Sequence, residues 1–538
     1  MKILIAFMIM LSIGLSIYVG SVHIKTLNNT TEDSLINHLK SRILALKLSG
    51  FTLTDIRLVY QGSYTPVATG KELTDLPAFC LMAATLRPTS GSLIKIELWM
   101  PIKNWNGRLL GTGNGGGAGS IIYASLAGGI KQGYATVNTD MGTSRGGAGG
   151  AVNNPEIWAD FGYRATHEMT VVAKALLKVY YGRAQHHAYF AGCSTGGQQA
   201  LMEVQRFPDD YNGVIAGAPA NNRTHLHSGF LWNHQVTGNG EKEMFSSVEL
   251  AFIARKITSA YARRSGGAPG DDFLTDPGIV SVDFDSLFKY KAGSTDSSLT
   301  VTQIAALKKI YRGPINPRTQ EQIYTSMPVG SENVAAGLKL QQATAGVNGL
   351  FYQFKWVFGN SFDHTRFDFD RDQSKMDSIL APLLNANNPD LAPFKKLGGK
   401  IVMYTGTADP LVPYQDAVNY YERVIANQHG LKQTQAFFRY YLIPGMAHCS
   451  GGPGLNGFSH NILTDIVDWV ENGKAPNEIV ATALNCCVVN GPPRLQRPVY
   501  PYPLFPHYTG GDASAASSYI GVTHRGGKLL VPAEKYLN

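Results

Sequence analysis

The sequence predicts an α/β fold: a mostly parallel sheet with helices on both faces, interrupted by a large inserted lid domain. Three observations carry this. Apolar, strand-like runs at residues 134–140, 189–193, 213–219, 400–406 and 437–443 alternate with stretches of helical period at 158–181, 198–207 and 414–426. Strands separated by helices need crossover connections and therefore pair in parallel. The run at 189–193 breaks into Gly192-Cys193-Ser194-Thr195-Gly196 and leads straight into a helical stretch, the context in which a Gly-x-Ser-x-Gly turn lifts its serine clear of a sheet edge. Between 221 and 398 the alternation stops, and helical patterns joined by long polar and Gly/Pro-rich loops take over.

Composition narrows the function classes. A chain of 538 residues with 44% hydrophobic and 16% charged residues is globular, with room for one large domain and an insertion. The net charge of +8 is spread along the chain without a basic block, which argues against a nucleic-acid partner. Met1-Lys2 precedes an uncharged, mostly apolar run over 3–22 that closes on Val19-Gly20-Ser21. This reads as an export signal over 1–21, or as an N-terminal membrane anchor if it is not cleaved. A secreted or periplasmic location follows, where disulfides persist. Five cysteines, Cys80, Cys193, Cys449, Cys486 and Cys487, leave at least one free thiol if all bridges are internal.

In chain order, residues 31–48 carry helical periodicity, and 93–100 alternate as a half-buried strand that Pro101 ends. The two parts of the α/β core are expected over 45–220 and 399–538, with the lid over 221–398. Residues 105–110 empty into the glycine-rich stretch 111–119, where backbone N–H groups of Gly115 and Gly116 can turn toward one point, as an oxyanion requires. Neither a Gly-Lys-Ser/Thr nor a Gly-x-Gly-x-x-Gly helix start follows, so a phosphate cradle is disfavoured and a plain loop is the competing reading. Val171, Ala175, Leu176 and Val179 recur at helical spacing, and Gly182 stops that helix. In the lid, Leu250, Ile253, Ile257 and Tyr261, and then Ile304, Leu307 and Tyr311, mark helices, and Phe351, Tyr352, Phe354 and Trp356 form an aromatic run. Asp271, Asp272 and Asp276 could ligate a hard cation such as calcium, or simply form turns.

Past the strand at 400–406 stands Asp409, and past the strand at 437–443 stands His448. Ser194, Asp409 and His448 thus follow the Ser…Asp…His order of α/β-hydrolases. The chemistry assigns a role to each. Ser194 is the nucleophile, His448 the general base and then acid, and Asp409 the residue that orients the imidazole. The N–H of Thr195, with one from Gly115 or Gly116, forms the oxyanion hole. No cofactor is required.

These residues resemble the tannase and feruloyl esterase family of secreted α/β-hydrolases. The resemblance rests on Trp105-Asn106-Gly107-Arg108, on Gly113-Asn114-Gly115-Gly116 and on Gly192-Cys193-Ser194-Thr195-Gly196-Gly197. It extends to Pro444-Gly445 with His448-Cys449, and to Trp469-Val470-Glu471. It implies an exported serine carboxylesterase acting on small-molecule or plant-polymer esters of hydroxycinnamic or gallic acids. It also implies a Cys193–Cys449 disulfide and a structural calcium in the lid. The lid departs from the family pattern: residues 267–277 carry fewer acids than the family's calcium loop, and 282–285 lack the cysteine that usually follows. Competing readings are an esterase for another aromatic ester, such as a terephthalate monoester paired by Arg366 or Arg371, a non-catalytic polyphenol- or glycan-binding protein, and a thiol nucleophile at Cys193.

Overall fold

The computed structural model describes residues 32–144, 150–288, 299–343, 349–483, 493–523 and 530–537. The expected signal over 1–21, together with Cys486 and Cys487, lies outside these residues.

Nine strands build one sheet: β1 (Phe51–Val59), β2 (Phe79–Leu86), β3 (Ile94–Pro101), β4 (Arg108–Thr112), β5 (Ala135–Thr139), β6 (His187–Cys193), β7 (Gly213–Gly217), β8 (Lys400–Gly406) and β9 (Phe438–Ile443). Their spatial order is β1-β2-β3-β5-β4-β6-β7-β8-β9. β1, β2, β3 and β5 pair antiparallel, and every pair from β5 across to β9 is parallel. The sheet is mostly parallel, as the alternation predicts, and follows the α/β-hydrolase plan that the Ser…Asp…His order and the resemblance imply. β1 and β2 are additional to the strands expected; β1 is an edge strand whose Phe51, Leu53 and Leu58 are only half-buried, so its pattern is diluted.

Strand residues alternate between two cores. Leu109, Phe190, Val214, Ile401 and Met403 pack on one face with helices α1 (Ala165–Tyr181), α2 (Thr195–Arg206) and α3 (Tyr414–Asn427). Leu110, Tyr189, Ile215, Val402 and Tyr441 pack on the other against Leu463, Ile466 and Trp469 of α4 (Ile462–Asn472). β5 and β7 are buried along their whole length, as strands covered on both faces must be.

The helix expected over 158–181 is built in three pieces: Pro155–Ala159, a π-helical turn at Asp160–Arg164, and α1. Its buried stripe runs through Val172, Leu176 and Val179, while Val171 is exposed. Gly182 closes it in the left-handed conformation. A Cβ on Gly162, in the π turn, would lie 2.1 Å from the Leu383 carbonyl oxygen, so the turn lets the helix Arg371–Leu384 dock against it.

Between Gly217 and Lys400 the described residues add helices and no strand to this sheet. Ser247–Tyr261 and Val301–Arg312 each start on a capping box, Ser246 with Glu249 and Thr300 with Gln303. Leu250, Ile253, Ile257, Leu307 and Ile310 form a separate core. Phe351, Phe354 and Trp356 are buried. Beyond β9, Gly457–Phe458, Ile479–Ala483 and Leu495–Val499 make a small antiparallel sheet that the sequence reading did not anticipate.

Candidate active site

Ser194 sits between β6 and α2 with φ 65 and ψ −118, a backbone region that costs a non-glycine residue about 1–3 kcal/mol. The turn is over-determined by its surroundings. The Ser194 N–H donates to the Gly217 carbonyl at 2.9 Å, and the Ser194 carbonyl accepts from the N–H of Gln198 at 3.0 Å and of Ala220 at 3.1 Å. Close backbone packing explains the glycines. A Cβ on Gly113 would lie 2.5 Å from the Gly196 Cα and 2.8 Å from the Gly192 Cα. The glycine-rich loop is thereby laid against the elbow, and the Gly196 N–H donates to the Asn114 carbonyl at 2.8 Å.

Thr195 is the first residue of α2, so its N–H has no intrahelical acceptor. Among the described residues the N–H groups of Gly115 and Gly116 donate to no backbone carbonyl. The Asn114 N–H donates to the Gln199 side chain at 2.8 Å, and the Asn114 amide donates to the Thr139 carbonyl at 2.8 Å. The loop is anchored, while the groups expected to bind an oxyanion are left unspent.

Asp409 follows β8 and is fully buried. One carboxylate oxygen accepts the N–H groups of Leu411 and Val412, both at 2.9 Å. The other meets Nδ1 of His448 at 2.7 Å. With Nδ1 engaged, Nε2 is the nitrogen left to exchange a proton. Burial pulls the His448 pKa down and Arg223 adds to this, but the charge and hydrogen bond of Asp409 outweigh both, and the net shift is upward.

The disulfide implied by the resemblance is formed. Cys193 and Cys449 are bridged with their Cα atoms 5.9 Å apart, across 256 residues of sequence. The residue before Ser194 is thus bonded to the residue after His448. The bridge also removes Cys193 as a thiol nucleophile. Cys80 is a buried free thiol, which burial pushes up to about 12.

Two sequence motifs meet near the start of β6, at the far end of that strand from the elbow. Arg108 grips Glu471 through Nε at 2.7 Å and Nη2 at 2.6 Å, and the Tyr189 hydroxyl of β6 donates to Glu471 at 2.7 Å.

Asp271, Asp272 and Asp276 are not gathered into a cation cage. Asp271 is held by both terminal nitrogens of the fully buried Arg497, at 2.9 and 2.6 Å, whose guanidinium lies over Phe273 and Tyr519. Asp276 caps a turn by accepting the Gly278 N–H at 3.0 Å, and Asp272 is exposed. A guanidinium already neutralises the carboxylate that calcium would need, so these residues do not fit the ion. Among the described residues, His167, Glu203 and Asp210 do bring ligand atoms within 4.8 Å of one another. There the Lys174 ammonium sits 3.3 Å from Asp210, and burial, reinforced by Asp210, pushes Glu203 toward its protonated form. Arg366 is exposed, and Arg371 pairs with Asp372 at the surface. The sequence reading missed Arg223, whose buried side chain reaches Thr195 and Gly116. Its position shortly after a central parallel strand, where open sheets place ligand sites, was the available signal.

The family model for tannase and feruloyl esterase matches residues 80–522. An uncharacterized esterase from Xanthomonas campestris pv. campestris is 34% identical over 538 aligned residues, covering 91% of this chain and 92% of that protein. Feruloyl esterase B of Aspergillus niger is 32% identical over 447 residues, covering 80% and 84%. The crystal structure of feruloyl esterase B from Aspergillus oryzae superposes with a TM-score of 0.81 at 27% identity, covering 90% of this chain and all of that one. With the elbow and the bridged His–Asp pair in place on this sheet, the chain belongs to the tannase and feruloyl esterase family of carboxylic ester hydrolases.

Proposed function

We infer that this protein is an exported serine esterase that hydrolyses esters of aromatic acids of the hydroxycinnamic or gallic type through an acyl-enzyme. Ser194 Oγ attacks the ester carbonyl carbon as His448 Nε2 takes its proton, and the carbonyl oxygen becomes an oxyanion held by the N–H of Thr195 and one from Gly115 or Gly116. Collapse expels the alcohol, which leaves with the proton from His448. Water then attacks the acyl group and gives its proton to His448. That proton returns to Ser194 as the carboxylic acid departs. Asp409 holds the imidazole in the tautomer this needs. Residues 221–398 act as the lid over the acyl side. Among the described residues no helix is long and apolar enough to cross a membrane, and export rests on the leader over 1–21.

The observation that carries the reading is the 2.7 Å Asp409–His448 pair joined to the elbow through Cys193–Cys449. Rates on methyl ferulate, methyl gallate and a short p-nitrophenyl ester, for wild type and Ser194→Ala, test it. Turnover of an aromatic methyl ester by wild type and none by the variant is expected. Activity retained by Ser194→Ala removes the serine mechanism, and p-nitrophenyl turnover alone removes the aromatic-acid preference.

A further inference from the structure

Arg223 opens the helix Arg223–Val236 shortly beyond β7 and is 3% exposed. Its Nη1 donates to Thr195 Oγ1 at 3.0 Å, and its Nη2 donates to the Gly116 carbonyl at 2.8 Å and to the Tyr352 hydroxyl. The guanidinium lies 5.2 Å from the centre of the Phe161 ring. All of these partners are uncharged, and among the described residues Nε has no acceptor. A buried cation without a carboxylate costs several kcal/mol of desolvation, so a stability role does not explain its presence.

The partners are informative. Thr195 Oγ1 donates to the Gly116 carbonyl at 2.7 Å while accepting from Arg223. Arg223, Thr195 and Gly116 therefore close a triangle between the start of α2 and the glycine-rich loop. The Asn114 carbonyl is held by Gly196 and the Gly116 carbonyl by this triangle, so the 115–116 peptide is fixed from both sides. The N–H groups of that segment and of Thr195 are the ones expected to meet the substrate oxygen.

We propose that Arg223 is a positioning residue of the oxyanion hole. It locks the Gly116 carbonyl and the Thr195 hydroxyl so that the backbone donors hold one geometry, and its unpaired buried charge favours the negative charge that develops on the substrate oxygen. This rests on the Ser194 reading above. The charges acting on His448 are Asp409, which favours the imidazolium, and Arg223, which opposes it. On Arg223's own helix, His227 is pulled down to about 3 by burial and by Arg223, and is neutral.

The test is kcat, KM and the pH profile on methyl ferulate for wild type, Arg223→Lys, Arg223→Met and Ser194→Ala. Arg223→Met should lose about ten- to a hundredfold in kcat, less than deletion of a donor outright, with KM within about twofold and the acid limb of kcat/KM moved to higher pH. Arg223→Lys keeps the charge, so its acid limb should stay in place. A single ammonium cannot reproduce the two-nitrogen grip, so its kcat should still fall about tenfold. Wild-type kcat in either variant overturns the proposal, as does a loss in Arg223→Met with an unmoved acid limb, which general loosening would give. If Arg223→Met fails to fold, Arg223→Lys decides alone. Activity in Ser194→Ala would instead refute the serine mechanism, so the two failures are distinguishable.

Discussion

Replacing Cys193 and Cys449 together by serine removes the covalent tie between the elbow and the histidine loop without leaving a lone thiol. The bridge spans 256 residues, and the chain-entropy relation gives about 5.5 kcal/mol of denatured-state constraint for a loop of that length. Bridges usually deliver about 2–4 kcal/mol, so the double variant should lose an amount in that lower range. Catalysis should suffer separately. Asp409 is fixed by the N–H groups of Leu411 and Val412, and Ser194 by Gly217, so each half of the site survives alone. What loosens is the relation between them, and a misplacement of about 1 Å can cost on the order of a hundredfold. Urea unfolding followed by tryptophan fluorescence, beside initial rates on a p-nitrophenyl ester, reads both effects. The expected outcome is a lower midpoint and a lower kcat with the pH profile in place. A double variant with the wild-type midpoint and wild-type kcat would refute the reasoning.

Asp409→Asn should drop kcat about 10³–10⁴-fold at unchanged fold, because the amide no longer fixes the imidazole tautomer; a loss below tenfold by steady-state rates would remove Asp409 from its role. Since the His448 pKa is raised above the ordinary 6.5, kcat/KM should fall as pH drops through a value above 6.5. The same shift contributes stability that is complete below 6.5 and lost as pH rises through the folded value, so activity and this share of stability should slope in opposite directions. Gly113→Ala places a Cβ 2.5 Å from the Gly196 Cα and should cost more than about tenfold in kcat with the far-ultraviolet circular dichroism retained; wild-type kcat would show that the elbow yields freely. Arg108 holds the Glu471 carboxyl down to about 2, so its stabilisation is present above about 4.5 and lost as pH falls toward 2. Glu471→Gln should lower stability at neutral pH by about 1–3 kcal/mol, and an unchanged urea midpoint would contradict this.

The parallel half of the fold was legible because its strands are short apolar runs broken by helices of clear period, and because Gly192, Ser194 and Gly196 stand where a strand must turn. Asp409 and His448 were readable for the same reason: each directly follows such a strand. β1 was hidden by its place at the edge, where burial on alternate residues is incomplete. The π turn at Asp160–Arg164 was hidden because it depends on a distant partner, the Leu383 carbonyl that approaches Gly162. Arg223 carries only a weak local signal, its place shortly after a central parallel strand, because its significance comes from Thr195 and Gly116 meeting it in space. The partner of Asp271 was hidden for a related reason, since Arg497 lies 226 residues away.

That last pairing belongs to a wider pattern in how the chain closes its site. His448, Cys449, Glu471 and Arg497 lie in one stretch of sequence, and each reaches back to a much earlier segment: to Asp409, to Cys193 at the elbow, to Arg108 and Tyr189 in the sheet, and to Asp271 between β7 and β8. A histidine on a loop beyond the last sheet strand has only β9 behind it, and β9 pairs with β8 alone within the main sheet. Loop entropy would let that histidine wander, and pre-organisation therefore has to come from side-chain ties rather than from the sheet. The bridge fixes the loop directly, while the Glu471 and Arg497 pairs hold the segment that follows it. The Arg497 pair is buried, so Arg497→Met should cost about 3–5 kcal/mol by stranding the Asp271 carboxylate. It should also lower kcat, although Arg497 has no contact with Ser194 or His448. A variant that loses stability yet keeps wild-type kcat below its unfolding transition would show that the disulfide alone positions the histidine.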